Sequence, residues 1–350
     1  MATIRDVASK AGVSVASASR ALNDHDNVTP ATRAKVRAAA AALRYVPHSG
    51  ARSLTRQKAD AVGVVLPDLF GEFFSELIRG IDRVAHASGL QLLLSNMHGN
   101  PLEAANAVRT MRGRVDGLLV MTPDLDRANL FDALGPGQPA VMINSHLPSP
   151  GIASVGIDNR GAAKTMTGHL VERGYRRIAF VSGPRHNRDS MDRQAGFREA
   201  MAALTGERDP IVIPGDFSES SGAEAARLLI AGRLPVDAIF CANDMMAVGC
   251  AAVLADAGIA IGETVGVAGF DDIPIAHYVA PSLTTMNARI AQLGAAAMTK
   301  LIALMNGDDD ARAPTILSPT LVTRHSTLRE PATTPSHDQS EHNFKEGMPS

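Results

Sequence analysis

The sequence predicts an N-terminal all-α helix-turn-helix domain followed by an α/β core of two doubly wound parallel-sheet subdomains. Three observations predict this. The first 46 residues hold three short helical patterns, and a glycine separates the first two. From residue 62, apolar runs such as 62-VGVVLP-67 alternate with helical patterns such as 245-MMAVGCAAVLADAG-258, as in a parallel sheet covered by helices. These units are too numerous for one small sheet, so we expect two similar halves with a cleft between them.

Charge is distributed unevenly along the chain. The net charge of −2 conceals ten Lys/Arg against four Asp/Glu in residues 1–60, whereas residues 61–330 hold 23 against 29. The N-terminal segment is therefore the part suited to a polyanion. A basic surface patch without a partner is the alternative at this point.

The composition indicates a soluble, cytoplasmic protein. No apolar run approaches the ~20 residues that a membrane span needs, and MATIRDVASK lacks the apolar stretch of a secretory signal. The two cysteines, Cys241 and Cys250, cannot form a disulfide framework and fit buried thiols in a reducing compartment. The eleven histidines show no metal-ligand spacing, and we predict neither a metal nor a cofactor.

The first two helices form the predicted helix-turn-helix. Thr3 can cap the first helix, with Asp6 placed three residues on, close to a capping-box arrangement, and Gly12 ends it. Ser14 caps the second helix, 15-VASASRAL-22. In this motif the second helix lies in the major groove of DNA.

This second helix is short and poor in large apolar residues. The side chains that can face the other helices are Ala18, Ala21 and Leu22. The side chains left to face outward are Val15, Ala16, Ser19 and Arg20. Arg20 suits bidentate contact with guanine, and Val15 and Ala16 suit thymine methyl groups. An ordinary surface helix is the alternative.

A third helix and a linker follow. Thr29 and Pro30 form an N-cap and N1 pair, and Pro47 prevents the third helix from continuing. Residues 47–60 are then predicted to be a linker with one short, marginal helix. Leu54 is an apolar residue among cations there, which suits insertion into the minor groove of DNA. A flexible linker whose leucine packs on the next domain is the alternative.

The core begins where the strand-like runs begin. The predicted strands are 62-VGVVLP-67, 90-LQLLLSN-96, 117-GLLVM-121, 139-PAVMIN-144, 177-RIAFVSG-183, 210-PIVIPG-215, 238-AIFCAN-243 and 265-VGVAGF-270. The polar, aperiodic tail at residues 331–350 is predicted to be disordered and has no leucine heptad for a coiled coil.

Several motifs in this order resemble the lactose-repressor (LacI/GalR) family of bacterial transcription regulators. In the first domain they are 3-TIRDVASKAGVSVASASRALN-23, 29-TPATRAKV-36 and 43-LRYVPHSGARSL-54. In the core they are 67-PDLFGEFFSELIRGID-82, 115-VDGLLVMTP-123, 240-FCANDMMAVG-249 and 269-GFDDIPIAHYVAPSLTTM-286. The resemblance covers about residues 2–329. It implies a core similar to type I periplasmic sugar-binding proteins.

The resemblance also implies how the chain is divided and what it binds. The implied parts are a helix-turn-helix domain at 1–46, a hinge helix or linker at 47–60, an N-subdomain at about 61–159 and 290–319, and a C-subdomain at about 160–289 and 320–330. The implied partner is operator DNA, near-palindromic and bound by a homodimer, with no membrane partner. Leu54 matches a leucine that opens a central CpG step. Ser17 and Ala18 depart from the Thr and Val usual in relatives, and the smaller Ala18 should loosen the second helix slightly.

The residues assigned to DNA contact combine both arguments. They are Thr3, Ser14, Val15, Ala16, Ser19, Arg20, Asn23, Thr29, Arg52, Ser53, Leu54 and Thr55. By resemblance, Val15, Ala16 and Arg20 fall on the main base-reading positions, and the Val15–Ala16 pair is similar to the galactose-repressor type.

A second set of residues suits a small polyhydroxyl ligand. Carboxylates accept hydrogen bonds from hydroxyls, arginine donates them, and aromatic rings stack on sugars. The candidates, each at a pocket position implied by the resemblance, are Asp68, Phe73, Phe74, Asp158, Asn187, Asp189, Arg193, Phe217, Asn243 and Asp271. Asn243 favours a sugar or sugar acid as the effector. Arg188 could favour an acidic ligand or be exposed, and Asp244 could simply cap the helix that follows it.

Three classes of function compete. We expect a ligand-controlled transcription regulator, usually a repressor. A transport sugar-binding protein would share the core, but the basic N-terminal domain and the missing signal argue against it. An enzyme is disfavoured because the sequence has no phosphate loop, G-x-S-x-G elbow or His-Glu-x-x-His motif.

Overall fold

The computed structural model describes residues 2–23, 27–45, 58–98, 100–122, 127–144 and 152–329. The contacts divide the chain into two compact units, one made of residues 1–70, 77–155 and 294–314, the other of residues 71–76, 156–293 and 315–350. The predictions of a hinge helix within residues 47–57 and of a disordered tail lie outside the described residues. So do the hinge candidates Arg52, Ser53, Leu54 and Thr55.

Three helices form the N-terminal region, as predicted. They span Ile4–Ala11 (α1), Val15–Leu22 (α2) and Pro30–Ala42 (α3). The side-chain oxygens of Thr3, Ser14 and Thr29 each accept a hydrogen bond from the backbone N–H three residues on, which satisfies a donor that the helix leaves unpaired. Gly12 ends α1 with φ of 67°, a left-handed conformation that glycine adopts without steric cost.

Small apolar residues make the core of these three helices. The buried members are Val7, Ala8, Ala18, Ala21, Val36, Ala39 and Ala40. Leu22 and Tyr45 are partly buried against them. Small side chains let the helices approach closely, so a helix with as little to bury as α2 is still held by packing on one face.

Residues 61–157 contribute a parallel sheet and the helices between its strands. The elements are β1 (Ala61–Leu66), α4 (Glu72–Ala87), β2 (Gln91–Asn96), α5 (Pro101–Met111), β3 (Gly117–Met121), α6 (Arg127–Leu134), β4 (Ala140–Ile143) and β5 (Ala153–Ile157). The pairs β1–β2, β1–β3, β3–β4 and β4–β5 are parallel. All residues of β1 and β3 are buried, which explains their continuous apolar sequences.

The remaining elements include a second parallel sheet. They are α7 (Asn159–Glu172), β6 (Ile178–Val181), α8 (Arg188–Thr205), β7 (Val212–Ile213), α9 (Glu219–Ile230), β8 (Ala238–Cys241), α10 (Asp244–Asp256), β9 (Gly266–Ala268), α11 (Ile275–Tyr278), β10 (Thr285–Asn287), α12 (Ile290–Met305), β11 (Thr315–Leu317) and β12 (Thr320–Val322). The second sheet has the strand order β7-β6-β8-β9, all parallel.

Two further pairings complete the topology. The first sheet has the order β11-β5-β4-β3-β1-β2, and β10 pairs with β12 in an antiparallel ribbon. The helical region and the mostly parallel sheets confirm the predicted fold class. Within the described ranges, no helix combines the length and apolar character that crossing a membrane requires.

Candidate functional site

The outward face of α2 carries the side chains predicted to read DNA bases. Val15 is 43% exposed, and Ala16 and Arg20 are exposed, whereas Ala18 and Ala21 on the opposite face are fully buried. Arg20 Nε donates to the Ala16 carbonyl at 3.3 Å, which aligns the side chain along the helix surface. Its outer nitrogens make no contact with residues 2–23 or 27–45 and can meet a groove.

The other candidates in these helices stand at helix ends, except Ser19, which lies inside α2. Ser14 Oγ accepts from Ser17 N at 3.0 Å and Thr29 Oγ1 from Thr32 N at 3.3 Å. A helix N-terminus attracts phosphate because its first N–H groups are unpaired. Ser19 is half-buried, and its hydroxyl lies 3.5 Å from Nδ2 of Asn23, which ends α2.

Seven effector candidates follow strands in the chain. Asp158 follows β5, Asn187, Asp189 and Arg193 follow β6, Phe217 follows β7, Asn243 follows β8, and Asp271 follows β9. In a parallel sheet these carboxyl ends share one edge, where open α/β sheets bind ligands. The sequence-predicted residues of β6, β7, β8 and β9 therefore share one edge of one sheet.

Arg193 is the centre of a buried polar cluster. It is 3% exposed. Its Nε donates to Asn159 Oδ1 at 2.8 Å and its Nη1 to the Ala242 carbonyl at 2.5 Å. Its Cζ lies 3.7 Å from the centre of the Phe270 ring. The guanidinium is thus fixed from several sides before any ligand binds.

Asn159 links Arg193 to a second candidate. Its Nδ2 donates to Asp189 Oδ1 at 2.8 Å, and both side chains are buried. The sequence prediction missed Asn159 and Phe270. Their position directly beside Asp158 and Asp271 was the available signal, but contacts across 30 residues or more depend on the tertiary fold.

Asp271 presents an unsatisfied acceptor in this cluster. Its Oδ1 lies 3.2 Å from Arg193 Nη2, close enough for an ion pair, but accepts no hydrogen bond from the described residues. Burial raises the pKa of Asp271 to about 6, opposed by Arg193 and reinforced by Asp189. A buried carboxylate oxygen of this kind favours a ligand that donates hydrogen bonds.

Four further candidates lie at helix starts or in loops near this cluster. Asn187 Oδ1 caps α8 by accepting from Ser190 N at 3.0 Å. Asn243 Oδ1 caps α10, and its Nδ2 donates to the Phe217 carbonyl at 3.0 Å. Phe217 has φ of 72° and is half-buried. Asp158 is exposed and caps α7 through Gly161 N at 2.8 Å. These polar groups are therefore already oriented by the fold.

The last three candidates are at two other places. Asp68 belongs to the first unit, where its exposed carboxylate follows β1 and accepts from Leu69 N at 2.7 Å and Asn96 Nδ2 at 3.4 Å. Phe73 and Phe74 lie in the first turn of α4, half-buried, with ring centres 5.3 Å apart in a T-shaped contact. Asn96 is a polar neighbour that the sequence prediction missed.

Two suggestions about charged residues need correction. Asp244 does not cap α10, because Asn243 does, and the carboxyl of Asp244 instead accepts from Thr285 Oγ1 and Ile273 N. Arg188 is half exposed and pairs with Asp192 at 3.2 Å, one helical turn on. It therefore gives little support to an acidic ligand.

Comparison with known proteins gives matches at both ends of the chain. The family described as "Bacterial regulatory proteins, lacI family" matches residues 3–48, and "Periplasmic binding protein-like domain" matches residues 167–327. The chain is 35% identical over 347 residues to the HTH-type transcriptional regulator GalR of Escherichia coli (strain K12), which covers 98% of this chain and 99% of GalR.

Solved structures agree. A lac repressor dimer bound to operator and the anti-inducer ONPF matches with a TM-score of 0.83 and 28% identity, over 93% of this chain and 99% of that one. A complex of the transcriptional regulator CelR with cellobiose matches with a TM-score of 0.70 and 31% identity, over 93% of this chain and all of that one.

Proposed function

Since the chain belongs to the lacI family of bacterial regulatory proteins and is a DNA-binding transcriptional regulator rather than an enzyme, we propose that it is a repressor that binds a near-palindromic operator as a homodimer. A small-molecule effector controls its affinity for the operator. That effector is a sugar, and a neutral one rather than a sugar acid. The protein acts in the cytoplasm, at the nucleoid.

The proposal about DNA is supported by the two faces of α2. One face is buried through Ala18 and Ala21, and the other exposes Val15, Ala16 and Arg20. Small residues let a helix approach base edges, and arginine recognises guanine through O6 and N7. The solved lac repressor, a structural relative, is described as a dimer on its operator.

The observation that carries the effector proposal is the buried acceptor on Asp271. Among the described residues its Oδ1 accepts no hydrogen bond and is approached by Arg193 Nη2 at 3.2 Å, while Arg193 also contacts Asn159 and Ala242. A ligand carboxylate or phosphate would lie beside the carboxyl groups of Asp271 and Asp189, and the Arg193 guanidinium that could bind it is already engaged by other groups. A sugar hydroxyl would instead donate to the vacant acceptor. The CelR relative is described in complex with cellobiose, a neutral sugar.

Control follows from differential affinity. A sugar that binds one conformation of the core more tightly shifts the population towards it. We expect sugar binding to alter the hinge helix or linker predicted at residues 47–60 and hence operator affinity. By reciprocity, operator DNA changes sugar affinity by the same factor.

Selection from a random DNA pool tests the operator proposal. Enrichment of a site with two symmetric halves is expected, and selection of a single asymmetric site would refute binding as a homodimer. Operator affinity is then measured with D-galactose, D-ribose, cellobiose, gluconate and glucose 6-phosphate. A shift with a neutral sugar supports the effector proposal, whereas a shift with gluconate or the phosphate alone contradicts it.

Two variants separate the effector site from the DNA site. Asp271→Ala should bind operator as tightly as the wild type and lose its response to sugar. Arg188→Ala is the matched control, since Arg188 is exposed and pairs within its own helix, and it should respond normally. A normal response in Asp271→Ala would show that the effector binds elsewhere.

A further inference from the structure

Asp244 has a fully buried carboxyl group that joins the start of α10 to the turn after β9. It is the first residue of α10 and is 0% exposed. Its Oδ2 accepts from Ile273 N at 2.9 Å, and its Oδ1 accepts from Thr285 Oγ1 at 2.6 Å. Thr285 Oγ1 in turn accepts from Asp272 N at 3.4 Å. One carboxyl group thus holds two consecutive backbone N–H groups, directly or through one hydroxyl.

Those two N–H groups belong to a turn with unusual backbone geometry. Asp271 and Asp272 have φ values of 109° and 56°, a backbone region that residues other than glycine rarely adopt. Such residues persist where surrounding contacts hold them. Asp271 N donates to the Met286 carbonyl at 2.8 Å, and Asp272 accepts from Arg324 Nη2 at 2.6 Å. Asp244 stabilises the other end of the turn by accepting the hydrogen bond from Ile273 N.

The absence of a side chain at residue 269 leaves room for this contact of Asp244. A Cβ at position 269 would lie 2.1 Å from Asp244 Oδ1, so the carboxyl reaches the turn because residue 269 is a glycine. Burial, together with the nearby Asp271, raises the pKa of Asp244 well above its usual range.

We propose that Asp244 is a positioning residue: its carboxyl group holds the Asp271–Ile273 turn and thereby sets the Asp271 carboxylate against Arg193 for ligand binding. This rests on the proposed function, in which Asp271 accepts from the sugar. Asp244 itself does not touch the ligand. It acts through the backbone that carries Asp271.

The test compares three variants of the full-length protein with a structural control. Asp244→Ala removes both hydrogen bonds. Asp244→Asn keeps the hydrogen bond from Ile273 N through its amide oxygen and replaces the bond from Thr285 Oγ1 with one in the opposite direction, from its NH₂ group to Oγ1. Thr285→Val removes the hydroxyl that joins Asp244 Oδ1 to Asp272 N, and leaves the hydrogen bond from Ile273 N to Asp244 in place. Leu254→Ala, a fully buried residue of the same helix, destabilises α10 without touching the turn.

Two readouts are measured in each variant: hydrogen exchange of the Asp272 and Ile273 amides, and affinity for D-galactose, D-ribose or cellobiose, whichever the wild type binds. Losing a buried hydrogen-bond pair should raise exchange and weaken sugar binding by about tenfold or more in Asp244→Ala, and by a few-fold in Thr285→Val. Asp244→Asn should restore both to within about threefold. Leu254→Ala should lower Tm and change neither readout.

The outcomes separate this proposal from the one on which it rests. Equal effects in Asp244→Ala and Leu254→Ala, or wild-type behaviour of Asp244→Ala, would overturn it. If the wild type binds none of the three sugars, the sugar proposal fails. The positioning role is then decided by amide exchange and by the pKa of Asp271 followed by NMR, which Asp244→Ala should shift and Leu254→Ala should not. If Asp244→Ala does not fold, the amide exchange and sugar affinity of Thr285→Val, compared with those of Leu254→Ala, decide whether the positioning role holds.

Discussion

Arg193 and Asp271 form a buried ion pair in which Nη2 and Oδ1 lie 3.2 Å apart, yet Oδ1 accepts no hydrogen bond from the described part of the chain. The remaining nitrogens of Arg193 are directed elsewhere, Nε to Asn159 and Nη1 to Ala242. The pair is therefore asymmetric. Arg193 is held by the protein, whereas Asp271 keeps acceptor capacity, and the two residues should respond differently to pH, ligand and mutation.

Asp271 should make the ligand-free protein less stable as pH rises. Its pKa is raised to about 6, above the ~3.9 of an unfolded aspartate. Between these values the folded state binds more protons than the unfolded state, so the free energy of unfolding falls with rising pH. Asp271→Asn should remove this part of the slope, while its stability at any one pH also reflects the loss of the charge that pairs with Arg193.

Thermal unfolding of wild type and Asp271→Asn between about pH 4.5 and 7 measures this difference. Asp209→Asn is the control, because the Asp209 side chain is 94% exposed and should leave the slope nearly unchanged. Parallel curves for wild type and Asp271→Asn would contradict the prediction.

Asn159 should be needed for both stability and sugar affinity. Asn159→Ala removes one buried hydrogen bond from Arg193 Nε and one from Asp189 Oδ1. We expect a loss of roughly 1–3 kcal/mol in the free energy of unfolding and weaker sugar binding, measured by denaturation and calorimetry. Asn106→Ala is the control, since Asn106 is exposed and its side chain contacts Arg109 on the same helix. Equal stability of the two variants would refute the role.

The features predicted well from sequence depend on local chemistry. Thr3, Ser14 and Thr29 cap their helices through residues three positions away, so the pattern is readable in a short window. Continuous apolar runs in the sequence predict the buried parallel strands. By contrast, β10 and β12 have three residues each and pair across more than 30 positions, and the sequence does not reveal such a partner.

The sequence predicts where in the fold the candidate site residues lie better than it predicts which side chains contact one another. The expectation that polar residues gather at strand ends placed Arg193 and Asp271 correctly at one sheet edge. Asn159 was missed because an asparagine at a helix start resembles many surface residues. The suggestion that Asp244 could cap the following helix is wrong, since its carboxyl contacts Ile273 and Thr285 in a distant segment.

Arg20 should select one base pair in each half-site. It is exposed on α2 and its outer nitrogens are available. Arg20→Ala should relax preference at one position, with a loss of about 1–3 kcal/mol of discrimination, measured by repeating the selection from random DNA. Lys35→Ala, an exposed cation of α3, should weaken binding to all sequences alike. Unchanged selected sites in Arg20→Ala would show that Arg20 contacts phosphate alone.

Leu54 should contribute to operator affinity without contributing charge. It lies outside the described residues, and the prediction rests on its sequence position among Arg52, Arg56 and Lys58. An apolar side chain between base steps opens the minor groove and lets the protein contact more DNA. Leu54→Ala should therefore weaken operator binding and spare sugar affinity.

Salt dependence distinguishes this wedge from its charged neighbours. The slope of log K against log salt counts phosphate contacts, so Leu54→Ala should bind more weakly with an unchanged slope. Arg52→Ala should reduce the slope by about one, the effect of a single lost phosphate contact. Leu54→Met, which keeps an apolar side chain of similar length, should restore most of the affinity. If Leu54→Ala binds operator as tightly as the wild type, Leu54 is not a wedge and its linker position carries no role in DNA recognition.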